Sequence, residues 1–184
     1  MAPACEAVGL YPHDLLELES DSLDRRWWAV YTRSRQEKVF SQQLTGHQVP
    51  HYLPLVEKVS YSRGRRTKSR VPLFSGYVFL FGTEQERVTS LTTNRISQII
   101  PVVDGDRLRS DLCQIARLIA CGAPVTVEQR LAPGRRVRIR QGPLLGLEGT
   151  VVERRNGARL FVAVDFLQQG ASIDLEDFVL EPLD

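Results

Sequence analysis

The run from Val71 to Phe81 contains no charged residue and is dense in aromatic and β-branched side chains. A short apolar run of this kind, bounded by turn residues, predicts a strand that is buried on both faces. Pro72 cannot donate to a strand ladder, and Gly76 predicts a kink or bulge within the run. We therefore expect Tyr77 to Phe81 to form a central strand, whereas Phe74, just before the kink, need not point into the core.

Around this strand the first two thirds of the chain alternate between strand and helix patterns. Strands are predicted at Trp27 to Thr32, His51 to Tyr61 and Ile96 to Val103. Helices are predicted after Ser34, with Glu37 at capping-box spacing, after Thr83, and after Ser110-Asp111. Asp104-Gly105 reads as a hairpin-type turn. The order β-α-β-β-α-β-α predicts an α+β fold, an antiparallel sheet with flanking helices.

The sequence pattern changes at Leu131, after which short segments rich in β-branched residues alternate with glycine-rich turns. Such spacing predicts a small all-β barrel. The resulting division is an acidic, poorly ordered tail at 1–24, an α+β domain at 25–123, a linker at 124–132 and a barrel at 133–184.

Charge is distributed unevenly, although the net charge is only +2. Residues 1–24 contain six acids and no Lys or Arg, whereas residues 25–70 contain eleven basic residues against Glu37 and Glu57. A basic block of this kind predicts a surface that faces a polyanion, and the alternative is a solvated basic face. The candidate nucleic-acid-binding residues are Arg33, Arg35, Arg63, Arg65, Arg66, Lys68 and Arg70.

Catalysis and cofactor binding find no support in the sequence. The three histidines are scattered, and Cys5, Cys113 and Cys121 lack the paired spacing of a zinc site. Cys113 and Cys121 lie in a helical pattern as small buried residues, which indicates a reducing compartment. Neither a signal peptide nor a membrane-spanning run is apparent. We expect a non-enzymatic protein without metal or cofactor, located in the cytoplasm.

The most specific motif lies in the predicted barrel. Pro133-Gly134, Val137, Gly142-Pro143, Gly146, Glu148-Gly149 and Val151 follow the KOW pattern. In the first domain, Trp27-Trp28, Tyr31, Glu37-Lys38, Leu53-Pro54 and the stretch from Pro72 to Phe79 match the N-terminal domain of the NusG family of bacterial transcription elongation factors. The chain thus resembles that family from about Arg26 to Pro182. It looks closer to the specialised RfaH-like and UpxY-like antiterminators than to housekeeping NusG, and Ser75 stands where the family usually has proline.

The resemblance implies a set of partners. The N-terminal domain would bind the clamp helices of the RNA polymerase β′ subunit through Phe74 and Tyr31, for which core packing is the alternative. The basic residues would lie near non-template or upstream DNA. The KOW domain would bind Rho or a small-subunit ribosomal protein through Leu144, Leu147 and Leu167, for which barrel core is the alternative. The protein would act as a monomer.

The sequence therefore predicts a transcription antitermination factor that suppresses pausing or termination and recruits a second partner. Two alternatives remain: a housekeeping NusG-like factor that promotes Rho-dependent termination, and a KOW-type protein that binds RNA or the ribosome.

Overall fold

The computed structural model describes residues 8–17, 24–128, 134–155, 157–175 and 178–183. The chain divides into two units, Met1–Gly105 and Asp106–Asp184. The first mixes helices with antiparallel strands, and the second contains an all-β sheet. The predicted α+β class is therefore confirmed.

The N-terminal unit is built around a five-stranded antiparallel sheet. Its elements are β1 (Leu10–Tyr11), β2 (Arg26–Thr32), α1 (Glu37–Gly46), β3 (His51–Tyr52), β4 (Leu55–Ser62), β5 (Arg65–Pro72), β6 (Tyr77–Gly82), α2 (Glu84–Leu91) and β7 (Ile96–Pro101). The sheet order is β1-β3-β6-β2-β7, which places β6 in the middle as predicted. Strands β4 and β5 pair only with each other among the described residues, and form a separate two-stranded ribbon.

Apolar residues of β6 and β2 explain why this sheet forms. Val78 and Leu80 of β6 are fully buried with Val30 of β2, against Phe40 and Leu44 of α1. Phe40 and Leu44 are four residues apart, so they lie on one face of the helix. Burying this face against the sheet is the main favourable term for a short helix such as α1.

The N-terminal segment corrects the predicted disordered tail. Leu10 pairs with Tyr52 through β1, and the Leu53 amide donates to the Gly9 carbonyl oxygen at 2.9 Å. Leu15 and Leu16 are buried. The segment is ordered in spite of its acidic residues for two reasons. Strand pairing satisfies its backbone hydrogen-bonding groups, and burial removes its leucine side chains from water. Residues 1–7 and 18–23 lie outside the described part of the tail.

The two helix starts in this unit differ. At α2, the Thr83 hydroxyl accepts from the Glu86 amide and Glu86 accepts from the Thr83 amide, which confirms the Thr83 cap. At α1 the N-cap is Gln36, with no side-chain hydrogen bond, so the predicted cap at Ser34 is wrong. The Glu37 carboxylate is used elsewhere, since it accepts from a distant backbone amide.

The C-terminal unit combines a long helix with a six-stranded antiparallel sheet. Its elements are α3 (Gly105–Ala120, whose first residue falls in the N-terminal unit), β8 (Thr126–Glu128), β9 (Arg135–Ile139), β10 (Glu148–Arg154), β11 (Gly157–Val164), β12 (Gln169–Asp174) and β13 (Leu180–Pro182). The sheet order is β13-β9-β10-β11-β12-β8. Val137, Ile139, Leu160, Val162 and Ile173 are among its buried residues.

Two sequence-based boundaries change in this unit. Helix α3 begins at Gly105, so Asp104-Gly105 is not a hairpin turn and Ser110-Asp111 does not cap a helix. Asp111 is instead buried inside α3, where it pairs with Arg107 at 3.2 Å and accepts from the Asp165 amide at 3.0 Å. Part of the predicted linker, Thr126–Glu128, is strand β8 and pairs with β12. Residues 129–132 of that linker lie outside the described residues.

His51 is a buried polar residue at the junction of β3 and α1. Its Nδ1–H donates to the Val49 carbonyl oxygen at 2.9 Å, so the neutral ring accepts from the Ser41 hydroxyl through Nε2 at 2.7 Å. Burial lowers the pKa of His51 below its ordinary value of 6.5, and the hydrogen bond to Val49 opposes this only in part. Folding therefore favours the neutral form of the imidazole.

The pH dependence of stability should report this site. Below pH 6.5 the unfolded chain binds a proton at His51 that the folded chain resists, so the stabilisation is complete above that pH and is lost as the pH falls. We expect the free energy of unfolding, measured in urea between about pH 7 and pH 5, to decline less steeply in His51→Gln than in wild type. His47→Gln is the control, because His47 is exposed; an unchanged slope in His51→Gln would contradict the assignment.

Candidate functional site

Two tyrosines form an aromatic surface where β2 and β6 meet. Tyr31 and Tyr77 lie opposite each other in the strand register, with ring centroids 5.1 Å apart and planes inclined by 56°. Tyr31 is 42% exposed, although β2 is an inner strand that lies between β6 and β7 in the sheet. Tyr77 is half-buried. Large amphipathic rings at the surface of a rigid sheet are typical anchors for a protein partner.

The turn at Gly76 positions this pair. Gly76 has φ +85°, and a Cβ at this position would lie 2.5 Å from Cε2 of Tyr31. Its amide donates to a Glu37 carboxylate oxygen at 2.7 Å, and its carbonyl oxygen accepts from the Thr32 amide at 2.8 Å. Glycine therefore supplies both the left-handed backbone and the space that the Tyr31 ring occupies. We name Tyr31, Gly76 and Tyr77 the tyrosine surface.

Phe74 lies in the core. It is 1% exposed and packs edge-on against Phe79, with ring centroids 6.4 Å apart and planes at 87°. The Tyr77 amide donates to the Phe74 carbonyl oxygen at 3.1 Å, which closes the turn around Gly76 with the Phe74 side chain inside. A side chain that is almost fully buried cannot contact a partner while the protein keeps this conformation, so the core packing given as the alternative for Phe74 accounts for its position.

The loop after β2 carries the first pair of predicted basic residues. Arg33 donates to the Asn94 side chain at 3.1 Å, and its amide donates to the Arg95 carbonyl oxygen at 2.8 Å. Arg35 is exposed and has φ +59°, which is uncommon for a residue other than glycine. Backbone strain of this kind is concentrated at functional sites. Arg33 and Arg35 are two and four residues after Tyr31 in the sequence, so the loop that carries both guanidinium groups begins next to the tyrosine surface.

The remaining predicted basic residues lie on the β4–β5 ribbon or in its turn. Their side chains are all exposed: Arg63, Arg65, Arg66, Lys68 and Arg70. The turn is formed by Arg63 and Gly64, both with positive φ, at 49° and 76°. Glu57 is the only acid in the ribbon, and its carboxylate lies 2.8 Å from Lys68 Nζ, which lowers the pKa of Glu57. The ribbon therefore presents a strong excess of positive charge to solvent.

The predicted partner residues of the C-terminal sheet are largely internal. Leu144 and Leu147 are buried, so the alternative of barrel-core packing accounts for both. Leu167 is half-buried. Leu145, between them, is 59% exposed. Its carbonyl oxygen accepts from Arg117 of α3, and Gln114 of α3 accepts from the Glu148 amide at 2.8 Å. The turn from Gly142 to Leu147 is thus held against α3, with Leu145 at the surface.

The model of the family described as "Transcription termination factor nusG" matches residues 25–116. The chain belongs to the NusG family. No curated protein matches the chain.

Membership in the NusG family makes the protein a transcription elongation or termination factor of a family that binds RNA polymerase and is not known for enzymes. The match covers the tyrosine surface, Phe74 and every predicted basic residue, whereas Leu144, Leu147 and Leu167 lie beyond it. Within the described residues, no helix is long and apolar enough to cross a membrane, and no group of three or more potential ligands is placed to hold a metal.

Sequence reasoning overlooked three residues: Tyr77 of the tyrosine surface, Tyr61 of the β4–β5 ribbon, whose side chain is 75% exposed, and Leu145 of the C-terminal unit. Tyr77 was assigned wholly to the core strand, Tyr61 was read only as part of a strand, and Leu145 was passed over for its neighbours. Tyr61 could have been found, because the alternation of Glu57, Val59 and Tyr61 along one strand places them on a single face. Leu145 had no such signal, since turn residues lack a periodicity that separates buried from exposed positions.

Proposed function

We propose that this protein is a specialised NusG-type antitermination factor. Its N-terminal unit binds the β′ clamp helices of RNA polymerase through the tyrosine surface. Binding suppresses pausing or termination, while the basic residues lie close to non-template or upstream DNA in the cytoplasm. The observation that carries the proposal is the exposed Tyr31 ring, held by Gly76 and Tyr77 within the family-matched domain.

The difference in burial favours Tyr31 over Phe74 as the proposed polymerase contact. An anchor residue must be accessible before binding and must lose solvent upon binding. Tyr31 satisfies this condition with its exposed ring and its fixed neighbours, whereas Phe74 supports the turn from below. The ordered strand beneath Tyr31 also lowers the entropy that is lost on binding.

The nucleic-acid part of the proposal rests on charge and geometry. Arg33 and Arg35 lie in the loop that follows the tyrosine surface, so a DNA strand near the bound polymerase would meet guanidinium groups there. Arginine suits this role because its planar fork matches phosphates and stacks on unpaired bases. If Arg33→Ala with Arg35→Ala leaves cross-linking to the non-template strand unchanged, this contact does not exist.

The C-terminal unit, which we propose to be a KOW domain, is assigned the second partner, Rho or a small-subunit ribosomal protein. Leu145 and the half-buried Leu167 provide the accessible apolar area for such a contact. Leu144 and Leu147 would act by supporting the turn beneath Leu145.

Replacing Tyr31 by alanine tests the polymerase surface. We expect Tyr31→Ala to weaken binding to isolated β′ clamp helices by about 2 kcal/mol or more, roughly 30-fold in Kd, because an anchor ring is lost. Binding can be measured by titration calorimetry. Val88→Ala is the matched control, since Val88 is an exposed apolar residue on α2 outside the tyrosine surface. Equal binding by wild type, Tyr31→Ala and Val88→Ala would refute the surface, and absence of binding by wild type would refute the function.

The direction of the regulatory effect needs a separate assay. The family description names termination, which favours a factor that promotes Rho-dependent termination as the second candidate. Transcription through a Rho-dependent terminator, with and without the protein, distinguishes the two. Antitermination predicts more read-through in the presence of Rho, whereas the alternative predicts less.

A further inference from the structure

The β4–β5 ribbon has two chemically different faces. Opposed residues of an antiparallel pair share a face, and successive residues alternate between faces. The first, which we call the Tyr61 face, is defined by three opposed pairs: Tyr61 with Arg66, Val59 with Lys68, and Glu57 with Arg70. The second, the Ser60 face, is defined by Ser62 with Arg65, Ser60 with Thr67, and Lys58 with Ser69.

The Tyr61 face combines an aromatic ring with a row of cations. Tyr61 is 75% exposed, more than any other aromatic residue in the described chain. Arg66, Lys68 and Arg70 follow each other at every second residue of β5, a spacing of about 6.6 Å. The Ser60 face carries Lys58 and Arg65 but has no aromatic side chain. The two faces thus differ mainly in the exposed ring.

An exposed ring among cations indicates one class of ligand. Proteins that hold single-stranded nucleic acid combine cations along the backbone with aromatic rings that stack on bases. A two-stranded ribbon can also enter the major groove of a duplex, but paired bases present their edges there and keep their faces stacked. An exposed tyrosine therefore gains more from an unpaired base than from a duplex.

We infer that the Tyr61 face of the ribbon binds single-stranded nucleic acid. Tyr61 stacks on an unpaired base, and Arg66 and Arg70 neutralise phosphates on either side of Lys68, which is paired with Glu57. This inference rests on the proposed function, which places the ribbon near nucleic acid. It adds that the nucleic acid is single-stranded and that the Tyr61 face of the ribbon binds it.

Binding of the full-length protein to fluorescent oligothymidine, followed by anisotropy, tests the ring. We expect Tyr61→Ala to weaken binding roughly 5- to 160-fold, the range for loss of one stacking contact. Tyr61→Phe should bind as wild type does, because the ring is kept. A duplex of the same length should bind wild type and Tyr61→Ala equally. An unchanged affinity of Tyr61→Ala for oligothymidine, or an equal loss on the duplex, would overturn the inference.

Matched charge variants test the face. Arg66→Ala with Arg70→Ala removes two charges from the Tyr61 face, and Lys58→Ala with Arg65→Ala removes two from the Ser60 face. We expect only the first pair to lower the salt dependence of oligothymidine binding by about 1.4 in log–log slope, the value for two single-strand phosphates. Equal slopes for the two pairs would show that charge acts without regard to face, and would overturn the assignment.

The clamp-helix assay separates this inference from the proposed function. Tyr61→Ala should bind clamp helices as wild type does, because Tyr61 lies outside the tyrosine surface. Clamp-helix binding by wild type, together with oligothymidine binding that does not depend on Tyr61, would overturn the inference alone. Absence of clamp-helix binding by wild type would overturn the proposed function, whatever the oligothymidine result.

Discussion

Gly76→Ala is expected to destabilise the N-terminal unit and to displace Tyr31. The left-handed backbone at φ +85° costs a residue with a Cβ about 1–3 kcal/mol. The new methyl group would also lie 2.5 Å from Cε2 and 3.1 Å from Cδ2 of Tyr31, so the ring must move. Urea unfolding followed by tryptophan fluorescence measures the effect, because both tryptophans lie in β2 of this unit.

Gly64→Ala is the matched control for this variant. Gly64 has a similar φ of +76°, but a Cβ there would meet no atom within 4 Å. The backbone cost should therefore be similar in both variants, and the excess loss in Gly76→Ala measures the clash with Tyr31. Clamp-helix binding should weaken in Gly76→Ala and stay unchanged in Gly64→Ala. Equal stability and equal binding of the two variants would mean that Gly76 does not hold the Tyr31 ring in place.

Phe74→Ala should cause the largest loss of stability among the variants considered. Removing a fully buried phenyl ring typically costs about 3–5 kcal/mol, since transfer free energy is lost and a cavity remains. The loss should appear as a lower urea midpoint. Tyr61→Ala removes an aromatic ring of similar size from an exposed position, and should change the free energy of unfolding by about 0.5 kcal/mol or less.

Binding data distinguish the two roles considered for Phe74. If it supports the turn, clamp-helix binding by Phe74→Ala should decrease in proportion to the unfolded fraction, and should recover under stabilising conditions. A Phe74→Ala protein that remains as stable as wild type but fails to bind would instead make Phe74 a direct contact, as the family resemblance implies. That result would contradict the burial-based choice of Tyr31.

The fold could be predicted where local patterns were strong. The uncharged run at Tyr77 to Phe81 is the middle strand of the sheet, and Thr83 with Glu86 forms the capping box that starts α2. Both signals depend on residues that are close in sequence. The acidic N-terminal segment was misjudged, because the pairing of β1 with β3 joins residues about forty positions apart and no local pattern reveals it.

The candidate site was harder to predict, because exposure depends on the turn geometry. Phe74 and Tyr77 flank the same glycine, yet one is buried and the other lies at the surface. Glu37 looked like half of a capping box, but its carboxylate reaches the Gly76 amide, 39 residues away. The exposure of the basic residues was easier to predict, because charged side chains on a two-stranded ribbon remain in water whatever the strand register.

The position of α3 decides where the chain can be divided for work on its separate halves. A cut in the predicted linker would leave α3 on the N-terminal fragment. A cut after Glu128 would also remove β8 from the C-terminal fragment. The C-terminal fragment would then lack Gln114, which satisfies the Glu148 amide, and Asp111, which satisfies the Asp165 amide. A fragment that starts at Asp106 retains both partners, and is the form in which the C-terminal half should be produced for isotope labelling and partner screening.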